Sequence, residues 1–172
     1  MKVLIYGGAS SGKSEYAENL AVSIRTDRLI YLATMNSSGD EAKKRINKHR
    51  KKRQGKEFVT IECPYDLDKL DVEAESTILL ECMSNLVANE MFRDGKIIDK
   101  EEVIKKVLNE LRIISDKAEN IVIVSNDIFS SGESYDEISL EYMKALAMIN
   151  KELVKEVDQF YEVIVGIPKR RK

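Results

Sequence analysis

The chain has 172 residues, of which 43% are hydrophobic and 34% charged. That suits one soluble globular domain, 1–172, with a sizeable core, and argues against a disordered or fibrous chain. Lys and Arg number 28 against 30 Asp and Glu, so the net charge of −2 exerts no global pull toward nucleic acid, and no apolar stretch approaches membrane-span length.

Strand and helix signals alternate along the chain. Lys2-Val3-Leu4-Ile5-Tyr6 is a short apolar run rich in β-formers and reads as a buried strand, not a signal peptide. A glycine-rich segment follows. Ser14 to Ile24 predicts a helix, with Tyr16, Ala17, Leu20, Ala21 and Ile24 at helical spacing. Arg28 to Ala33 predicts a second strand, and Asp40 to Arg53 a helix. Glu57 to Glu62 is a short extended piece, stopped at Pro64. Ser76 to Leu80 is a third core strand, ending at Glu81. Met83 to Phe92 and Lys100 to Lys117 read as helices, and Asn120 to Ser125 as a fourth core strand. Asp127 to Asp136 is loop-like. Ser139 to Val157 predicts a long amphipathic helix. Phe160 to Val165 predicts a fifth strand, ended by Gly166 and Pro168.

Apolar strands alternating with helices mean an α/β fold, a mostly parallel sheet with helices on both faces. Ligands in such sheets bind beyond the carboxyl ends of the strands. The glycine segment, Ala33-Thr34, Glu81 and Ser125-Asn126 all fall at such ends.

Gly7-Gly8-Ala9-Ser10-Ser11-Gly12-Lys13-Ser14 fits the phosphate-loop pattern G-x-x-x-x-G-K-[ST] between a strand and a helix, the context that the pattern requires. Its glycines allow a tight turn that presents backbone N–H groups to phosphate oxygens. Lys13 can reach the β- and γ-phosphates, the Ser14 hydroxyl can ligate Mg²⁺, and the helix aims its positive end at the anion. An acid at the end of a hydrophobic strand commonly completes such a metal site, and Glu81 stands there, directly or through water. Cys63 and Cys82 lack ligand spacing, and with one histidine in the chain they read as reduced, buried thiols of a cytoplasmic protein rather than a zinc site.

Residues 43–56 carry nine Lys or Arg and no acid, and the lone His49 sits among them. On a helix, Arg45, His49 and Arg53 share one face, while Ala42, Ile46 and His49 place the imidazole near the apolar side. Three readings stay open. The segment is an exposed basic face with an incidental histidine. Or it is a nucleic-acid patch, weakened by the lack of interleaved aromatics and by the acidic net charge. Or His49 is a nucleophile, kept neutral by the surrounding cations, which would also neutralise a triphosphate.

Taken in order, several pieces resemble the bifunctional adenosylcobinamide kinase/adenosylcobinamide-phosphate guanylyltransferase family of cobalamin assembly. They are the phosphate loop, Tyr31-Leu32-Ala33-Thr34, Arg45-Ile46-Asn47-Lys48-His49-Arg50, Glu81-Cys82, Val124-Ser125-Asn126, Ile149-Asn150-Lys151 and Val165-Gly166-Ile167-Pro168. The R-I-x-x-H-R element is the most specific of them. The resemblance implies a RecA-like P-loop fold and two reactions. A nucleoside triphosphate phosphorylates the corrinoid, and GTP then passes GMP through a guanylyl-histidine, here His49, to the phosphorylated corrinoid. His49 and the phosphate-loop Lys13 are the candidate catalytic residues. The resemblance also implies nucleotide contacts from the phosphate loop, Leu32, Ala33, Thr34, Arg50, Lys51, Lys52, Arg53, Glu62 and Glu81, with Mg²⁺ on Ser14 and Glu81. It further implies a homotrimer. The chain departs from the family pattern at Ser10 (usually Arg), Glu81 (usually Asp), Ile128-Phe129 and Glu141 to Ala145. Two alternatives remain: an enzyme with one of these activities or another acceptor, and a non-catalytic nucleotide-binding regulatory module. No base-reading motif chooses between ATP and GTP as phosphate donor.

Overall fold

Side chains alternate across a strand, so each buried strand must supply two apolar faces. A computed structural model describing residues 1–36, 55–129 and 134–172 shows how this sequence meets that demand. The strands are β1 (Lys2–Gly7), β2 (Arg28–Ala33), β3 (Val59–Glu62), β4 (Ser76–Glu81), β5 (Asn120–Asn126), β6 (Gln159–Ile164) and β7 (Ile167–Arg170). They form one sheet in the order β3-β2-β4-β5-β1-β6-β7, parallel throughout except for the final antiparallel pair. The α-helices among the described residues are α1 (Lys13–Ser23), α2 (Met83–Met91), α3 (Lys100–Lys117) and α4 (Glu137–Glu156).

The two faces bury different sets. Val3, Ile5, Leu29, Tyr31, Leu79, Val122 and Val124 pack with Ala17 and Ala21 of α1. The alternate residues Leu4, Ile30, Leu32, Ile78, Leu80, Ile121 and Ile123 pack against Leu86 and Val87 of α2, Val107 and Leu111 of α3, and Leu146 and Ile149 of α4. The expected sheet with helices on both faces is therefore present. No helix among the described residues is long and apolar enough to cross a membrane.

Three expectations need correction. Strand β3 starts at Val59 rather than Glu57, because Glu57 has φ 59°, which is not extended backbone. Helix α4 starts at Glu137, two residues early, because the Asp136 carboxylate caps it by accepting from the Ser139 N–H at 2.7 Å. Gly166 follows the end of β6 as expected, but Pro168 does not stop the pairing, because it lies inside a further strand, β7. Val165 (φ 49°) and Gly166 (φ 77°) make a tight turn into β7, and Pro168 is tolerated there because β7 is an edge strand. The helix expected over 40–53 and the loop residues 130–133 lie outside the described residues.

Candidate active site

The glycine loop leaves the carboxyl end of β1 and becomes the first turn of α1. Ser10 and Gly12 both have positive φ, at 57° and 88°, which turns the chain back on itself. The Ser11 N–H donates to the Gly8 carbonyl at 3.3 Å, and the Tyr16 N–H to the Gly12 carbonyl at 3.1 Å. Gly12 caps α1 without any side-chain hydrogen bond, so the amides of the first turn remain available for an anion. The Lys13 ammonium donates to the Gly8 carbonyl at 3.0 Å and lies folded over the loop. The loop is buttressed from behind. The Gly166 N–H at the β6–β7 turn donates to the Ser11 carbonyl at 2.7 Å, and the Asp127 N–H donates to the Gly7 carbonyl at 2.9 Å.

Glu81 ends β4 and meets the loop. The Ser14 hydroxyl donates to one Glu81 carboxylate oxygen, and the Tyr31 hydroxyl donates to the other at 2.9 Å. Both oxygens of the acid are thus aimed by neighbours. Ala33, which ends β2, stands in register with Glu81 on one side and Glu62 on the other. Glu62 is exposed at the end of β3, two strands beyond Glu81. Thr34 is fully buried. Its hydroxyl donates to the Cys82 carbonyl at 2.8 Å and accepts from the Cys82 N–H at 2.7 Å. Leu32 is 1% exposed, with its side chain in the core beneath the sheet. The structure thus brings the phosphate loop, Ser14 and Glu81 into contact, with Ala33 alongside. It does not bring the side chains of Leu32 or Thr34 to a ligand surface.

Further polar groups gather at this edge; Asn126 was expected here from its strand end, whereas Asn89 and Tyr6 were not. Asn126, at the end of β5, donates its amide to the Ser84 hydroxyl and, at 3.4 Å, to the Cys82 sulfur. The Asn89 amide, from α2, ties the Thr34 carbonyl at 2.7 Å and the Pro64 carbonyl at 2.9 Å. Burial and the Asp127 carboxylate, which also accepts its hydrogen bond, push the Tyr6 hydroxyl up to about 12, so Tyr6 stays a neutral donor beside the loop. Cys63 and Cys82 are both free and buried, as expected. His49, Arg50, Lys51, Lys52 and Arg53 lie outside the described residues.

A phosphate loop between a first strand and helix, facing a strand-end acid across an intervening strand, defines a P-loop nucleotide-binding fold of the RecA-like kind. Two solved structures share this fold. The flagellar accessory protein FlaH of Methanocaldococcus jannaschii matches with TM-score 0.51 and 16% identity, over 99% of this chain and 77% of its own. The ATPase EscN of the enteropathogenic E. coli type III secretion system matches with TM-score 0.51 and 11% identity, over 99% of this chain and 47% of its own. At such identities the likeness concerns the fold alone. Within that class, the chain belongs to the cobinamide kinase / cobinamide phosphate guanyltransferase family, whose model matches residues 3–170. It is 28% identical to the bifunctional adenosylcobalamin biosynthesis protein CobU of Salmonella typhimurium, over 97% of both chains. It is 27% identical to CobP of Pseudomonas aeruginosa, over 98% of this chain and 95% of that one.

Proposed function

We propose that this chain is a single nucleotide-binding domain, cytoplasmic and homotrimeric, that phosphorylates adenosylcobinamide and then transfers GMP from GTP to the product. The observation that carries this reading is the Ser14–Glu81 contact under the phosphate loop, in a chain whose family match runs nearly end to end. A hydroxyl and a carboxylate in contact form a hard-oxygen donor pair that fits Mg²⁺. Ser14 and Glu81 would hold the ion, which when bound offsets charge on the β- and γ-phosphate oxygens. Lys13 and the first-turn amides of α1 grip the same oxygens and stabilise charge that grows on them.

In the guanylyl half, His49 attacks the α-phosphorus of GTP. The nitrogen–phosphorus bond forms, the bond from the α-phosphorus to the bridging oxygen breaks, and pyrophosphate leaves with the electron pair. The imidazole must be neutral to attack, and Arg45, Lys48, Arg50 and Lys51 close by in sequence disfavour its protonated form. A phosphate oxygen of the phosphorylated corrinoid then displaces the imidazole. Arg50, Lys51, Lys52, Arg53 and Glu62 complete the nucleotide contacts, together with Ala33 and the backbone of Leu32 and Thr34.

Incubation with cobinamide, ATP and GTP tests the reading. Phosphorylated and then guanylylated corrinoid should appear, and Lys13→Ala should slow both by about 10²–10³-fold. A single product would leave an enzyme with one activity. Nucleotide binding with no product would leave a regulatory module.

A further inference from the structure

The strand order places β5 between the phosphate-loop strand β1 and the acid strand β4. Its last residue, Asn126, stands in register with Gly7, and Val124 stands in register with Glu81. Asn126 therefore sits at the sheet edge between the two halves of the site. Its side chain is half-buried and held at one end. The amide nitrogen donates to the Ser84 hydroxyl and approaches the Cys82 sulfur at 3.4 Å. The Ser84 hydroxyl lies 3.0 Å from the same sulfur. Tyr142 of α4 fixes Ser84 in turn, its hydroxyl donating to the Ser84 carbonyl at 3.0 Å. The other end of the carboxamide, Oδ1, accepts no hydrogen bond among the described residues.

Such a group is a neutral, pre-oriented acceptor. It adds no negative charge beside a polyphosphate, and an amide cannot act as a base. A hydroxyl attacking phosphorus has use for that kind of partner, because its O–H must point away while a lone pair faces the phosphorus. We propose that Asn126 Oδ1 accepts a hydrogen bond from the acceptor hydroxyl and aims it at the γ-phosphorus. In this step the hydroxyl oxygen–phosphorus bond forms and the bond from the γ-phosphorus to the bridging oxygen breaks. The nucleoside diphosphate leaves with the electron pair, and the hydroxyl proton passes to solvent. The proposal rests on the kinase half of the function above and gives that half a residue of its own.

Steady-state phosphorylation of cobinamide by Asn126→Ala and Asn126→Asp tests it, alongside nucleotide affinity and covalent guanylate retained from GTP. Asn126→Ala should lower kcat about 10–100-fold, with nucleotide affinity and retained guanylate within about twofold of wild type. Asn126→Asp keeps an acceptor oxygen of the same shape. It should recover part of kcat while raising the KM for the nucleotide, because it sets a charge beside the phosphates. A kcat within about twofold of wild type in Asn126→Ala would overturn the proposal, as would equal losses in both variants or a parallel loss of guanylate. A wild-type chain that phosphorylates no corrinoid, yet takes up guanylate, would instead remove the kinase reading on which the proposal stands.

Discussion

Glu110 is 1% exposed in α3 and faces Glu90 of α2, itself 2% exposed. Burial and then the Glu90 charge push the Glu110 carboxyl up to about 7, with Asp68 adding to the push and Lys106, 3.6 Å away, opposing it. Beside them, hydrogen bonds from Arg93 and Lys106 hold Asp66 far below the usual carboxylate range. The folded chain keeps a proton on Glu110 that the unfolded chain releases above its ordinary value of 4.5. Stability should thus be fully present below that value and fall as pH rises from it through about 7, by on the order of 3 kcal/mol. Glu110→Gln should flatten this window, which urea melts at a series of pH values would reveal. An unchanged pH slope would contradict the assignment. At this scale the sequence made Lys13, Ser14 and Glu81 legible, because a fixed spacing and a strand end locate them. Asn126 was placed at the right strand end and Tyr31 on its strand, but Asn89 and the contacts of all three were not legible. Their partners Glu81, Pro64 and Ser84 depend on which strands become neighbours, and the chain order of the strands does not reveal that.

The phosphate loop and the β6–β7 turn behave as one packed unit. A β-carbon on Gly7 would lie 2.6 Å from both the Val163 carbonyl of β6 and the Ser11 hydroxyl oxygen. One on Gly12 would lie 3.0 Å from the Gly166 backbone. Gly7→Ala must therefore move backbone in the loop or in β6. It should weaken GTP binding about tenfold and lower the melting temperature, as overpacking does elsewhere. Titration calorimetry checks the first effect, and an affinity within about twofold of wild type would contradict this packing. The elements themselves were largely visible from hydrophobic period. The bounds of β2 and α3 agree with the sequence reading, because a charged or turn-forming residue brackets each apolar pattern. The hairpin was hidden because Gly166 and Pro168 carry the signals of a stop. Only the sheet order shows that the chain turns there to make an edge strand that tolerates proline.

At the scale of the whole fold, among the described residues α1 covers one face of the sheet, and α2, α3 and α4 cover the other. Parallel, in-register pairing puts the carboxyl ends of β1, β5, β4 and β2 in one row, from the phosphate loop to Glu81 and Ala33. The fold class was legible from strand–helix alternation, since parallel strands require crossover helices. That these segments gather at the carboxyl ends was legible too, but the order of the strands within the row was not, because it depends on non-local pairing. The central claim is that the triphosphate gripped in this row gives up its guanylate to the imidazole of the basic segment. Intact-mass and peptide mass spectrometry after mixing the chain with GTP tests it most directly. One added guanylate per chain is expected, on His49, stable to alkali and lost in acid, and absent from His49→Ala. A guanylate on another residue, or one that persists in His49→Ala, would contradict it.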